Sequence, residues 1–412
     1  DRGRSSFVFG NVFLHLHSVR THRWSLRWTT TAGLGIATVA AFLITLATGV
    51  LLMFYYKPYP EAAYNSMKDI HFIVPTGRFV RNIHRWAANL MVVTVILHMA
   101  RAFYTAGYRH PREFNWLVGM ALLVTTLGLS FTGYLLPWDQ LAYWAVTVGT
   151  NIASSIPFVG PAVRELMIGG RTIDQPTLIR FYVLHVIVLP GALGALFIYH
   201  MWRIRKDGGL ARADREGVLD APVEVPPGPT KTYTLLGVAR GTAPTIRARS
   251  LEASDATVNS IPDLTRRAAI VVLGTIALIS MLSVVIQSPL EEPANALVTP
   301  NPAKAPWYFL WLQEIVTLTT VRVGSYTING AFVGGVILPG LLLSVLTAWP
   351  WLDRSAAGVA GLWLPRSRRT QNAVFLAIAA AVLVLTLVGT WRGPYWHFYW
   401  PWEAWPDIPS RI

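Results

Sequence analysis

From Thr30 to Phe54 the chain runs for 25 residues without a charged side chain. A helix of that length, at about 1.5 Å of rise per residue, crosses the roughly 30 Å hydrocarbon layer of a bilayer with room to tilt. Within that layer every backbone N–H and C=O must be satisfied by the protein itself, which favours a helix. A second such run covers Ala373 to Val388. Apolar segments bounded by charge and Pro/Gly clusters give seven candidate spans, at 29–56, 79–104, 114–135, 178–203, 268–287, 329–350 and 371–391. The expected fold class is therefore all-α, a polytopic membrane protein with a four-helix bundle followed by three further transmembrane helices. With 53% hydrophobic and only 14% charged residues, the composition excludes a water-soluble globule and a disordered chain.

Seven spans put the two ends of the chain on opposite sides of the membrane. Of the 35 Lys and Arg residues, 23 fall on the N-terminal side and 12 on the other. The N-terminus and the long 204–267 connection are thus expected in the cytoplasm or its equivalent. Most of the net charge of +14 is orientation signal, and no nucleic-acid partner is expected. The 204–267 connection, with Pro222, Pro226, Pro227 and Pro229, divides the chain into residues 1–206, a linker at 207–267, and residues 268–412. The halves show no internal repeat, which argues against a transporter built from two similar units.

The chain has no cysteine, so thiolate-held metals, iron–sulfur clusters and covalent c-type haem are excluded from it. Of its ten histidines, four lie inside the candidate spans. His84 and His98 share the second span at a separation of 14 residues, which is within about 40° of four full turns and about 21 Å along the axis. They present one face at two depths. His185 and His200, 15 residues apart on the fourth span, overshoot four turns by about 60°, which a local distortion of the helix can absorb. Parallel placement of these two spans pairs His84 with His185 and His98 with His200. A single buried histidine is commonly just a satisfied polar group, but two matched pairs at two depths fit the axial ligands of haem iron. Zinc fits less well, because carboxylate or thiolate partners are missing nearby.

A planar macrocycle between helices needs small residues at the same height. Gly35 and Gly49 on the first span, and Gly119 and Gly133 on the third, repeat the 14-residue spacing. Arg78, Arg81 and Arg85 flank His84, and Arg101 follows His98 by one turn, so Arg81 and Arg101 are candidates to meet haem propionates.

These residues resemble the cytochrome b subunit of bc-type quinol:cytochrome c and b6f-type plastoquinol:plastocyanin complexes. The likeness lies in "LATGVLLMFYYKPYPEAAYNSMK" at 46–68, "RNIHRW" at 81–86, "HMARAFYTAGYRHPREFNW" at 98–116, "TGYLLPWDQLAYWAVTV" at 132–148 and "LIRFYVLHVIVLPG" at 178–191. The histidine spacings and Asp139 after Pro137-Trp138 are closer to the b6 type. The stretch "SPLEEPANALVTPNPAKAPWYFLWLQEI" at 288–315 resembles the three-helix subunit IV, fused here to the first half. The resemblance implies two bis-histidine haems b, His84 with His185 near the positive side and His98 with His200 near the negative side. It implies a quinol-oxidising pocket lined by residues 137–148, with Asp139 and Tyr143, and by Pro306-Trp307-Tyr308. It further implies a Rieske iron–sulfur partner, a c-type cytochrome or equivalent acceptor, a homodimeric complex and a bacterial inner-membrane location. One electron of the quinol would pass to the Rieske protein and the other through the haems to a quinone at the negative side.

The sequence departs from the family pattern in three places. The family motif Pro-Glu-Trp-Tyr, whose carboxylate accepts a quinol proton, reads Ala305-Pro306-Trp307-Tyr308 here. Asp139, Glu291, Glu292 and Glu314 are the candidates to replace it, Asp139 and Glu314 lying nearest the motifs. The cysteine that holds an extra haem in b6f complexes is missing, since Thr31 and Ala32 stand near the start of the first span. The tail "RGPYWHFYWPWEAWP" at 392–406 is dense in aromatics and suits a membrane interface. Two other readings remain open at this point: a di-haem anchor of a quinone-linked dehydrogenase, and a haem-free proton channel or transporter.

Overall fold

The computed structural model describes residues 20–212, 257–300, 303–355 and 359–393. Most of the 207–267 linker and the aromatic tail beyond residue 393, with His397, lie outside the described residues. Among the described residues, seven helices are long and apolar enough to cross a membrane: α1 (Leu34–Met53), α3 (Gly77–Tyr104), α4 (Glu113–Leu135), α7 (Gln175–Lys206), α8 (Pro262–Val285), α10 (Gly330–Leu352) and α11 (Arg366–Trp391). Each coincides with one of the seven apolar runs. Four shorter helices lie between them: α2 (Pro60–Phe72), α5 (Gln140–Ser154), α6 (Gly160–Ile168) and α9 (Trp307–Thr319). Two short antiparallel pairs complete the structure, β1 (Arg20–His22) with β2 (Thr257–Asn259) and β3 (Arg322–Val323) with β4 (Tyr326–Thr327).

The short helices escaped the search for long apolar runs because they are too short or too polar to span. In α2 the buried residues Ala63, Ser66, Met67 and Ile70 follow the i, i+3, i+4, i+7 pattern of a helix lying on a surface. It packs against the start of α3.

The four-helix bundle is built from two antiparallel pairs, α1 along α3 and α4 along α7. In α7 the backbone widens to a π turn over Leu184–Val188, just before Pro190. Proline lacks an N–H and its ring clashes with the carbonyl four residues back, so the helix gains room by inserting one residue per turn there. The same arrangement recurs in α10, where a π turn at Val333–Ile337 precedes Pro339. His185 sits in the π turn of α7. The surplus residue absorbs the overshoot expected for a separation of 15, and His200 returns to the face of His185.

The three-helix half closes on this bundle through α8 against α1 and α3, and α10 against α4, while α11 packs on α9. Its attachment is polar at both ends. At one end the Asn82 side chain donates to Ser283 O (2.9 Å) and accepts from Ser288 N (2.9 Å), and Arg81 donates to Ser288 O (2.9 Å) and Pro289 O. At the other end Asp353 accepts from Tyr108 Oη (2.6 Å) and pairs with Arg368 (3.2 Å), whose guanidinium also donates to Phe103 O (2.9 Å). Arg368 is fully buried, its charge over the rings of Phe103 and Tyr108.

Removing one partner of a buried ion pair leaves an uncompensated charge, so Arg368→Met should cost about 3–5 kcal/mol. Arg109→Met, which removes a more exposed guanidinium 3.8 Å from the same Asp353, should cost about 1 kcal/mol or less. Thermal unfolding of the detergent-solubilised protein should show a clearly lowered midpoint for the first variant only. Equal midpoints would remove this cluster from the fastening of the two halves.

Candidate functional site

The four intramembrane histidines meet in two pairs. The ring centroids of His84 and His185 are 6.2 Å apart, and those of His98 and His200 are 6.4 Å apart. Each ring is backed by one of the four glycines. A Cβ on Gly49 would lie 3.2 Å from His84 Cε1, one on Gly35 3.4 Å from His98 Cε1, one on Gly133 2.4 Å from His185 Cε1, and one on Gly119 3.8 Å from His200 Cε1. The equal spacing of glycines and histidines is thus the register of two antiparallel helix pairs. On α4 and α7, glycines 14 apart face histidines 15 apart because the π turn contributes the extra residue.

Second interactions of the rings set their tautomers. Thr48 Oγ1 spends its only proton on Ile44 O (2.7 Å), so at 3.0 Å it accepts from His84 Nδ1–H. His185 Nδ1–H donates to Leu129 O (3.1 Å). Both rings therefore turn an Nε2 lone pair away from their hydrogen bonds, the arrangement of metal-binding imidazole. Among the described residues no group of three or more His, Cys, Asp or Glu side chains gathers as a metal site. A bare ion in either place would have two protein ligands. Haem fits instead, since a porphyrin supplies the remaining nitrogens and two facing imidazoles would complete the set in each gap.

A cavity of about 560 Å³ takes in the gap between His84 and His185 and continues from it to Asp139, Trp307 and Tyr308. Arg81, Arg85, Tyr134, Glu291 and Lys304 also border it. Its far wall is where the halves interlock. Gln140 N donates to Glu292 O (2.8 Å), Ala294 N to Trp138 O (3.1 Å), and Asn295 N to the Gln140 side chain (2.7 Å). Trp138 sits at a left-handed φ of 52°, a strained conformation for a bulky residue, held by these contacts.

Asp139 caps the N-terminus of α5 through Ala142 N (2.9 Å) and accepts a second bond from Glu291 N (3.2 Å). Burial pushes its carboxyl above the ordinary range, against the pull of those two N–H groups and of Arg81 and Arg85. Tyr308 borders the cavity, its hydroxyl pushed up to about 12 by burial, and Trp307 donates to the Asn89 side chain (2.8 Å).

Other residues expected at this site are placed differently. Tyr143 packs edge-on against Trp138 and does not border the cavity. Glu314 is buried and paired with Arg392 at the end of α11, away from the cavity wall, and Glu292 is exposed. Arg81 borders the void but directs two nitrogens to Ser288 and Pro289 carbonyls, and Arg101 Nε donates to Thr30 O (2.9 Å). Lys304 went unnoticed in the sequence because a lone lysine between two spans counts only as topological charge.

A family model described as "Cytochrome b/b6/petB" matches residues 22–208, and one described as "Cytochrome b(C-terminal)/b6/petD" matches residues 293–400. The chain belongs to the cytochrome b family. It joins in one polypeptide the b6-like and subunit-IV-like halves. The cytochrome b6 of Heliobacterium mobile is 48% identical over 175 residues, which is 42% of this chain and 82% of that protein. The cytochrome b6 of Synechococcus elongatus is 45% identical over 175 residues, 42% of this chain and 81% of that one. A solved structure titled "Hyperthermophilic respiratory Complex III" aligns with a TM-score of 0.71 at 25% identity, covering 94% of this chain and 89% of that one. This cytochrome b is an integral membrane electron-transport protein, a b-type subunit of a quinol oxidoreductase.

The glycine contacts rank the cost of adding a methyl group. Gly133→Ala would force its Cβ to within 2.4 Å of the His185 ring, whereas Gly119→Ala makes ordinary contact at 3.8 Å. Gly133→Ala should therefore shift the spectrum and midpoint potential of the bound haem b, and Gly119→Ala should leave them near wild type. Redox titration followed optically checks this, and a reversed order would break the assignment of glycine to histidine.

Proposed function

We propose that this cytochrome b oxidises quinol at the positive side of a bacterial inner membrane, within a homodimeric complex, with its N-terminus in the cytoplasm. One electron goes to a Rieske iron–sulfur partner, which passes it to a c-type cytochrome or equivalent acceptor. The other crosses the membrane to a quinone at the negative side. Residues 1–206 serve as the haem-binding unit and 268–412 as the unit that completes the quinol pocket, joined by 207–267. The observation that carries this reading is the pair of imidazole pairs at two depths, each ring seated against a glycine and two of them with Nδ1 engaged.

His84 and His185 would hold one haem b, and His98 and His200 the other. When bound, these groups supply one-electron redox centres near the two faces of the membrane. The chain does the rest. Gly35, Gly49, Gly119 and Gly133 let the rings approach their neighbouring helices, and the hydrogen bonds of Thr48 and Leu129 keep Nε2 of His84 and His185 available. Arg81 and Arg101 add positive charge beside the two sites.

At the pocket, a quinol hydroxyl must lose its proton before the molecule gives up electrons readily. Asp139 is the carboxylate best placed to take it: it borders the cavity, and burial raises its affinity for a proton. Trp307 and Tyr308 form the apolar and hydrogen-bonding wall beside it, with Tyr143 behind Trp138 and Glu314 supporting the segment through Arg392. Replacement by asparagine keeps a good helix cap, so Asp139→Asn isolates the charge from the fold. It should slow quinol oxidation more than Glu291→Gln does. It should also remove the limb of the pH profile on which rate rises as the carboxyl ionises. Wild-type rates in both variants would send the proton by another route.

A pyridine haemochrome assay on the purified complex should count two haems b per chain. Alanine at His84 or His185 should remove one of them, and alanine at His98 or His200 the other. Retention of both haems in any of these variants would sink the ligand assignment.

A further inference from the structure

The family's glutamate before Trp-Tyr is replaced here by proline, yet the same short segment places a different ionisable group on the cavity wall. Lys304 lies two residues before Pro306, and borders the void together with Asp139, Arg85, Glu291, Trp307 and Tyr308. It is held at both ends. Its Nζ donates to the last carbonyls of α11, Gly389 O (2.8 Å) and Thr390 O (2.6 Å). Its main chain is strapped to α9 by one side chain, since Gln313 accepts from Ala305 N (2.8 Å) and donates to Ala303 O. A lysine normally surrenders much rotamer freedom to hold one geometry, and here that geometry is fixed in advance.

The amine is a cation on a residue of the cavity wall, beside Thr390, which borders the same void. Glu314 on α9 and Arg392 at the end of α11 act on it with opposite sign, and they are paired with each other. Asp139, Glu291 and Arg85 border the same cavity. Burial brings the amine down to about 8, so it is charged at neutral pH but titrates within an accessible range.

We propose that Lys304 is the substrate-facing cation of the quinol pocket: its ammonium stabilises the quinolate formed as a quinol hydroxyl loses its proton. In that step the O–H bond breaks, the proton passes to the Asp139 carboxylate, and the electron pair stays on the quinol oxygen. Lys304 keeps all of its protons and its bonds to Gly389 O and Thr390 O, and offers its charge to the new anion. Where the family uses a base that pulls the proton away, this pocket adds a cation that makes the hydroxyl a stronger acid. The inference rests on the quinol-oxidation reading above.

The test uses the whole complex carrying Lys304→Met or Lys304→Arg, each first shown by pyridine haemochrome to retain its haems. Haem reduction by a short-chain benzoquinol and a short-chain naphthoquinol is followed in single turnover across the pH range of amine titration. Lys304→Met should slow reduction by roughly a hundredfold at neutral pH. The wild-type rate should fall as pH rises through about 8, where the ammonium is lost. Lys304→Arg should keep most of the neutral rate without that alkaline fall, because guanidinium stays charged. A Met variant at the wild-type rate, or an Arg variant that keeps the alkaline fall, overturns the role of Lys304. If the Met variant does not assemble, the Arg profile decides alone. Failure of the quinol reading itself looks different: neither quinol reduces the wild-type haems although dithionite does.

Discussion

Everything in this cytochrome b is arranged around two gaps between facing imidazoles, with ring centroids 6.2 and 6.4 Å apart. To hold two such gaps at different depths, α3 and α7 must present their histidines inward twice, four turns apart. The helices beside them must also come close enough to back each ring, which only a residue without a Cβ allows at Gly133. On α7 the helix needs one surplus residue between its histidines, and Pro190 creates the π turn that accommodates it. A polar group unsatisfied in a bilayer is costly, so the hydrogen bonds from His84 to Thr48 and from His185 to Leu129 both orient the rings and make their burial tolerable.

The cavity beside His84 and His185 belongs to neither half alone. The turn at Trp138-Asp139 comes from the b6-like half, and Lys304 to Tyr308 from the subunit-IV-like half. Main-chain bonds between residues 138–140 and 292–295 bring them together. A buried carboxylate, Asp139, and an anchored lysine, Lys304, thus border one cavity from different halves. At the far end the buried Asp353–Arg368 pair with Tyr108 fixes how the second half sits on the first. Such a pair contributes less net stability than its charges suggest, and its value lies in admitting one docking geometry.

Much of this was legible in the sequence, for a physical reason. Bilayer thickness sets the length of an apolar run, so seven spans could be read by composition alone. Helical periodicity fixes which residues share a face, so His84 with His98, and the two glycine pairs, could be matched by spacing. The partners of the histidines followed from span direction. Fusion of two halves was visible from motifs on either side of a proline-rich connection. Each of these depends on local pattern.

What only the tertiary structure decided depends on contacts between segments distant in the chain. The amphipathic α2 and the pocket helices α5 and α9 have no long apolar run to announce them. Glu314 looked like a pocket carboxylate until Arg392, near the end of the last span, was found beside it. Tyr143 shares a motif with Asp139 but points to a different neighbour. Lys304 acquires a place only when the end of α11 supplies its acceptors and the closing of the two halves sets it on the wall of a shared void. The sequence by itself determined the spans and the register of the histidines and glycines, because both are periodic along one helix. The folded chain decided which charges meet in the pocket, because that is set by the docking of one half upon the other.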